Sequence, residues 1–197
     1  MLILGADTSL PLLSVALVRD GKTIGAVALE GKGSRNEKLL PAVDWLLGES
    51  GVDRAAIDLF AVTRGPGSFT GVRIGLATVQ GLALVLGRPV CAVSTHEAIA
   101  LGSGNGDVTV VDDAGRGEYY VSEFASGAET VAPRLATEMP AGAIIRVSDF
   151  IDHNNVAVCC AMRAGAIARA GQLAGYTDIR PLYVRLAEAE VKLQQKG

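Results

Sequence analysis

From Val72 to Leu86 almost every residue of this chain is apolar or small. A helix with that composition has no polar face, and such a helix cannot border water for most of its length. Any fold must therefore cover the segment on nearly all sides, and one covering surface can belong to another chain. Glycines inside a helix cost about 1 kcal/mol each relative to alanine, so Gly71, Gly75 and Gly81 call for a compensating close approach. Gly71, Gly75 and Thr78 fall near one stripe at helical spacing, and Ala77 and Gly81 lie four apart on another. Two flat stripes allow two tight neighbours, for instance the chain's own sheet and a partner helix. A wholly internal core helix satisfies the same pattern.

The segment just before it, Arg64-Gly65-Pro66-Gly67-Ser68-Phe69-Thr70-Gly71-Val72-Arg73, is too unusual to be a generic turn. Glycines with Ser68 and Thr70 ahead of a helix suggest a phosphate loop, but the Lys-Ser/Thr ending of a Walker loop is missing. The plainer reading is that Ser68 or Thr70 caps the helix and Pro66 stiffens the turn. A membrane span is set aside, because it wants about 20 uninterrupted apolar residues and this run carries Arg73, Gln80 and several glycines.

With 197 residues and 49% hydrophobic content the chain can bury a good core. Its mean hydropathy of +0.33 hints at an oligomer. Leu2-Ile3-Leu4-Gly5-Ala6-Asp7 reads as a strand rather than a signal peptide. Cys91, Cys159 and Cys160 form no disulfide framework, which predicts a reduced, cytoplasmic protein. The two histidines, His96 and His153, lie far apart, so no protein-built metal centre is expected. A net charge of −3, from 18 basic and 21 acidic residues with no basic run, makes the chain a poor candidate for gripping nucleic acid alone.

Along the chain, alternating apolar residues predict strands at 2–7, 12–18 and 23–29, the last two joined by the Asp20-Gly21 turn. A helix over 36–49 places Leu39, Leu40, Val43, Leu46 and Leu47 on a broad apolar face. A strand at 58–63, the glycine loop, the apolar helix and a strand at 90–93 follow. After the linker Gly102-Ser103-Gly104-Asn105-Gly106 the opening order returns: strand, Asp112-Asp113, strand 119–124, Ser126-Gly127, strand. A shift of 106 positions sets Asp7 on Asp113, Val15 on Val121 and Gly21 on Gly127. Beyond it, a turn or short helix at 149–155, a strand at 156–160, a helix at 163–173 and a polar tail, helical or frayed, are expected. The prediction is an α/β fold of two related halves, 1–103 and a reduced 104–197.

A duplicated meander whose first strands end in aspartate resembles the actin, Hsp70 and sugar-kinase superfamily. The segments Asp7-Thr8-Ser9, Glu37-Lys38-Leu39-Leu40-Pro41, Arg64 to Gly75, Gln80-Gly81-Leu82-Ala83, Val93-Ser94-Thr95, Asp113-Ala114 with Gly117-Glu118, and Pro181-Leu182-Tyr183-Val184-Arg185 narrow the resemblance to the TsaB family. That resemblance implies a non-catalytic accessory subunit for tRNA threonylcarbamoyladenosine synthesis. It would bind the transferase subunit TsaD through the helices 36–49 and 72–86, with TsaE, ATP or ADP and a metal joining the assembly, and tRNA reached only through the complex. Alone, the chain would self-associate through the same surface. The interface residues expected are Leu39, Val43, Leu46 and Leu47 on the first helix and Val72, Arg73, Gly75, Thr78 and Leu82 on the second.

No residue is assigned to catalysis. The metal-binding histidine pair of TsaD has no counterpart in Arg35-Asn36-Glu37-Lys38-Leu39. Asp7 and Asp113 are the candidates for a phosphate-bound metal, set against their ordinary role of capping turn amides. Ser94-Thr95-His96-Glu97 reads as a helix start, and the cysteines as buried small hydrophobes. Two alternatives stand beside the accessory subunit: a stand-alone ATPase or small-molecule kinase of the same fold, and a glycoprotease-type hydrolase, for which neither metal ligands nor an activated nucleophile are found.

Overall fold

The computed structural model describes residues 1–30, 35–104, 106–175 and 178–185. The expected polar tail, 186–197, and Asn105 of the linker lie outside the described residues.

The first half opens with an antiparallel meander, β1 (Leu2–Asp7), β2 (Leu13–Arg19) and β3 (Lys22–Leu29). Asp20 and Gly21 turn β2 into β3 with positive φ at both positions, 51° and 78°. That turn matches the right-handed twist of the strands it joins. Helix α1 (Arg35–Glu49) crosses over to β4 (Leu59–Thr63), which pairs parallel to β1. Helix α2 (Phe69–Leu86) crosses over to β5 (Val90–Val93), parallel to β4. The five-stranded order is β3-β2-β1-β4-β5.

Helix α3 (Thr95–Gly102) leads to a second meander, β6 (Val108–Gly115), β7 (Glu118–Ala125) and β8 (Ala128–Ala136), followed by β9 (Ile144–Arg146) parallel to β6. Its order, β8-β7-β6-β9, repeats the first four strands of the other sheet. Ser126 and Gly127 stand where the shift of 106 puts Asp20 and Gly21, with φ of 50° and 77°. The halves are related as the sequence predicted, but the pairing slips by one residue. Leu2 faces Arg19, whereas Val108 faces Phe124.

Two expectations for the second half need correction. Residues 156–160 are not a strand, and they join 163–169 in one helix, α5 (Val156–Arg169), after the short α4 (Val147–Ile151). Asn155 starts α5, its Oδ1 accepting the Val158 amide. The run reads as a strand because α5 is buried on several sides, and an apolar run without alternation cannot separate the two. The division at 103/104 separates the meanders but not the packing. Helix α5 lies across the first sheet, where a Cβ on Gly5 would meet the Ala157 carbonyl oxygen at 2.3 Å.

The first sheet is therefore covered twice. In front, Leu39, Val43, Leu46 and Leu47 of α1 and Val72, Leu76 and Val79 of α2 pack on Leu4, Val15 and Val62. Behind, Cys160, Ala161 and Ala164 of α5 and Ile99 of α3 pack on Ile3, Val18 and Leu59. Burial on both faces explains why β1, β2 and β4 are almost continuously apolar.

Candidate functional site

Asp7 ends β1 and is fully buried. Its Oδ1 accepts from the Ser9 amide at 3.1 Å, from Ser9 Oγ at 2.5 Å and from Thr63 Oγ1. Burial pushes this carboxyl above the usual carboxylate range, and the hydrogen bonds from Ser9 and Thr63 only partly oppose it. Oδ2 is buried with no hydrogen-bond partner. The Thr8-Ser9 turn is then clasped by the glycine loop, since Ser68 N donates to Ser9 O at 2.7 Å and Thr8 Oγ1 to Gly71 O at 2.6 Å. A Cβ on Gly67 would lie 2.5 Å from Ser9 O.

The plainer reading of the loop, a helix cap, is what the hydrogen bonds show. Ser68 caps α2, its Oγ accepting the Gly71 amide at 3.2 Å, and the Ser68 amide is taken by Ser9. Ser94 occupies the corresponding position at α3 but makes no side-chain capping bond, contrary to expectation. Its neighbour His96 is buried and bonds Ser122 Oγ through Nδ1 at 2.7 Å, joining α3 to β7.

Between the halves runs a cleft of about 460 Å³, walled by Ser9, Gly67 and Ser68 on one side and Asp112, Asp113 and Tyr120 on the other. Asp113 is exposed and caps the Gly115 amide at 2.7 Å. The carboxyl turned inward is Asp112, which burial pushes up to about 6, with the Asp7 charge adding to the rise. The aspartate pair proposed from the repeat, Asp7 and Asp113, is thus a pair of turn-capping groups. Among the described residues no group of three or more His, Cys, Asp or Glu could hold a metal ion.

The open chemistry lies on α2 instead. Gly71 and Gly75 face the fold, where an added Cβ would strike Thr8 O at 2.0 Å and Thr8 Oγ1 at 2.3 Å. Gly81 meets nothing within 4 Å. Arg73, Ala77, Gly81 and Val85, spaced four apart, are all exposed, and Leu84 and Val85 are 70% and 84% exposed. By length and composition α2 could cross a membrane, but its buried side, with Val72, Leu76 and Val79, is part of the front core. On α1, Leu40 and Trp45 are exposed, Trp45 by 55%. Trp45 and Pro41 line an apolar groove of about 400 Å³ against Val27 and Leu29 of β3.

Most of the interface residues expected from sequence are corrected by this geometry. Leu39, Val43, Leu46, Leu47, Val72 and Gly75 are buried in their own core. Arg73 is exposed, and Thr78 and Leu82 are half-buried. The large apolar side chains that these elements leave exposed are instead Leu40, Trp45, Phe69, Leu84, Val85 and Tyr183. A helical wheel would have found most of them, as they lie opposite the most apolar arc of each helix. At the start of α2, Tyr183 stacks on Phe69 with centroids 5.0 Å apart, and the Arg73 guanidinium sits 3.8 Å from the Phe69 centroid.

The family model of TsaD, tRNA N6-adenosine threonylcarbamoyltransferase, matches residues 32–161. The tRNA threonylcarbamoyladenosine biosynthesis protein TsaB of Escherichia coli (strain K12) is 41% identical over 128 residues, 63% of this chain and 55% of that protein. The chain belongs to the TsaD-type family, in its TsaB branch. An uncharacterized protein of Mycobacterium tuberculosis (strain ATCC 25618 / H37Rv) is 30% identical over 95% of this chain and 93% of its own length. YeaZ from Pseudomonas aeruginosa superposes with a TM-score of 0.72 at 28% identity, covering 92% of this chain and 99% of that one. The likeness in fold to YeaZ thus extends over most of the chain, whereas the aligned likeness to E. coli TsaB spans about half of that protein's length, 55%.

Proposed function

We propose that this chain is a cytoplasmic, non-catalytic accessory subunit in tRNA threonylcarbamoyladenosine formation. It docks TsaD through the outward faces of α1 and α2, and TsaE and ATP join the assembly so formed. One observation carries the reading: beyond Arg73 the outward stripe of α2 is apolar, contains Ala77 and Gly81, and is left bare by the described residues. Small residues at that spacing let another helix approach closely. Trp45 and Leu40 supply large apolar anchors beside it, the residue types that dominate protein interfaces. Without TsaD, the same face pairs two copies of the chain.

The engaged Asp7 and capped Asp113 support a subunit that binds no nucleotide of its own, with nucleotide and metal held by TsaD. Transfer chemistry then belongs to the partner, and tRNA is met only within the complex, in keeping with the acidic net charge.

The deciding experiment mixes the purified chain with TsaD from the same genome and measures complex formation and modified tRNA. Leu84→Glu, a change at an exposed position, is expected to abolish the complex while leaving the fold intact. Full TsaD binding by a folded Leu84→Glu/Val85→Glu protein refutes the docking face. ATP hydrolysis by the isolated chain that Asp7→Asn abolishes favours the stand-alone ATPase instead.

A further inference from the structure

We propose that residues 179–185 form a strap through which the open face of α2 and the second half of the molecule are mechanically coupled. This goes beyond the docking reading and does not depend on which molecule covers that face. The segment begins in the front core, where Ile179 is 8% exposed. Leu182 then fastens to the glycine loop, its amide donating to Arg64 O at 2.7 Å. Its own carbonyl oxygen lies 3.0 Å from where a Gly65 Cβ would be. Tyr183 fastens to α2, accepting from Arg73 Nε at 2.7 Å and stacking on Phe69. Arg185 fastens to the other half, donating to the Ala114 carbonyl at 3.0 Å and forming an ion pair with Glu118.

Two residues of chain span about 7 Å at full extension. Only Val184 separates Tyr183 from Arg185, so the two attached residues cannot part by more than that distance. The two ends of this link attach beside opposite walls of the interlobe cleft, next to Gly67 and Ser68 on one side and at Ala114 on the other. Widening the cleft must break the Arg185 contacts or drag Tyr183 off Phe69 and Arg73. Conversely, a molecule that repositions Phe69 or Arg73 moves the β6–β7 turn, since coupling between two sites is reciprocal. The motif Pro181-Leu182-Tyr183-Val184-Arg185 thus owes its form to three successive attachments: a backbone amide, an aromatic ring with a hydroxyl, and a cation.

The test uses the full chain and two mild substitutions on opposite lobes, with amide hydrogen exchange as the readout. Glu118→Gln removes the charge that holds Arg185 and touches nothing on α2. It is expected to speed exchange about fivefold or more at Leu182, Ser68 and Val72, all on the first lobe. Tyr183→Phe removes the hydroxyl bonded to Arg73, keeps the ring, and is expected to speed exchange at 114–118 on the second. Arg185→Lys, which keeps the charge, restores part of the protection that Arg185→Ala loses. If each variant loosens only its own lobe, the strap is a local tether and the coupling is refuted. Unchanged exchange in both lobes refutes it equally.

Discussion

A Cβ on Gly71 would lie 2.0 Å from the carbonyl oxygen of Thr8, closer than any packed structure allows. The contact is backbone against backbone, with no flexible side chain to yield. It explains a helix glycine that composition alone marks only as costly, and it separates Gly71 from Gly81 ten positions on, which has nothing within 4 Å.

Opposite outcomes follow for one chemical change. Gly71→Ala is expected to cost about 3 kcal/mol by forcing the Thr8 turn and α2 apart. Gly81→Ala is expected to stabilise the free chain by about 1 kcal/mol while weakening whatever complex uses the α2 stripe. Urea midpoints at unchanged slope measure the first quantity in both variants.

The two sides of the helices should separate as clearly. Val43 is 1% exposed, so Val43→Glu strands an unpaired charge in the front core and costs about 3–5 kcal/mol. Leu84→Glu should stay within about 0.5 kcal/mol of the parent and abolish self-association. Thermal melts followed by circular dichroism, with sedimentation velocity, distinguish loss of fold from loss of contact.

Capping supplies a third contrast. Ser68 Oγ accepts the Gly71 amide, so Ser68→Ala should cost about 1 kcal/mol. Ser94 Oγ is buried with no partner, so Ser94→Ala should be neutral or mildly stabilising. The same denaturation series reads both.

Acid should expose two opposed titrations. Burial lowers His96 to about 3, below its unfolded value near 6.5. The folded form thus holds fewer protons, and stability present above pH 6.5 is lost at up to about 1.4 kcal/mol per pH unit on acidification toward 3. Asp112 is raised by burial to about 6, so its effect has the other sign. Stability is greatest below its unfolded value near 3.9 and falls as pH rises through 6, by a smaller amount because the group is half-exposed. Asp112→Asn should therefore steepen the acid loss between pH 4 and 6, and His96→Gln should flatten it. Stability measured by urea against pH for both variants checks the two slopes.

Alternation, turn residues and an internal repeat are local properties, so the two meanders, their order and their spacing could be read from the sequence. The Asp20-Gly21 and Ser126-Gly127 turns needed only φ values that those residues tolerate. Helix α5 was misread because Val156 to Cys160 is apolar without alternation, and nothing local says whether such a run faces a sheet or lies in one. The same limit applied to the site. For the expected interface the sequence pointed to the most apolar arcs of the two helices, Leu39 to Leu47 and Val72 to Gly75, which the fold itself buries, because apolar character marks burial without saying by whom.

What the sequence determined by itself was that 72–86 is an apolar helix and that a glycine within it marks a candidate close approach, since both follow from side-chain size and hydration along one helix. Only the tertiary structure decided which stripe the Thr8 turn takes, which stripe the described residues leave bare, and that Asp7 is joined to Thr63. Those outcomes depend on residues 55 or more positions apart meeting in one register, and no local preference encodes such a meeting.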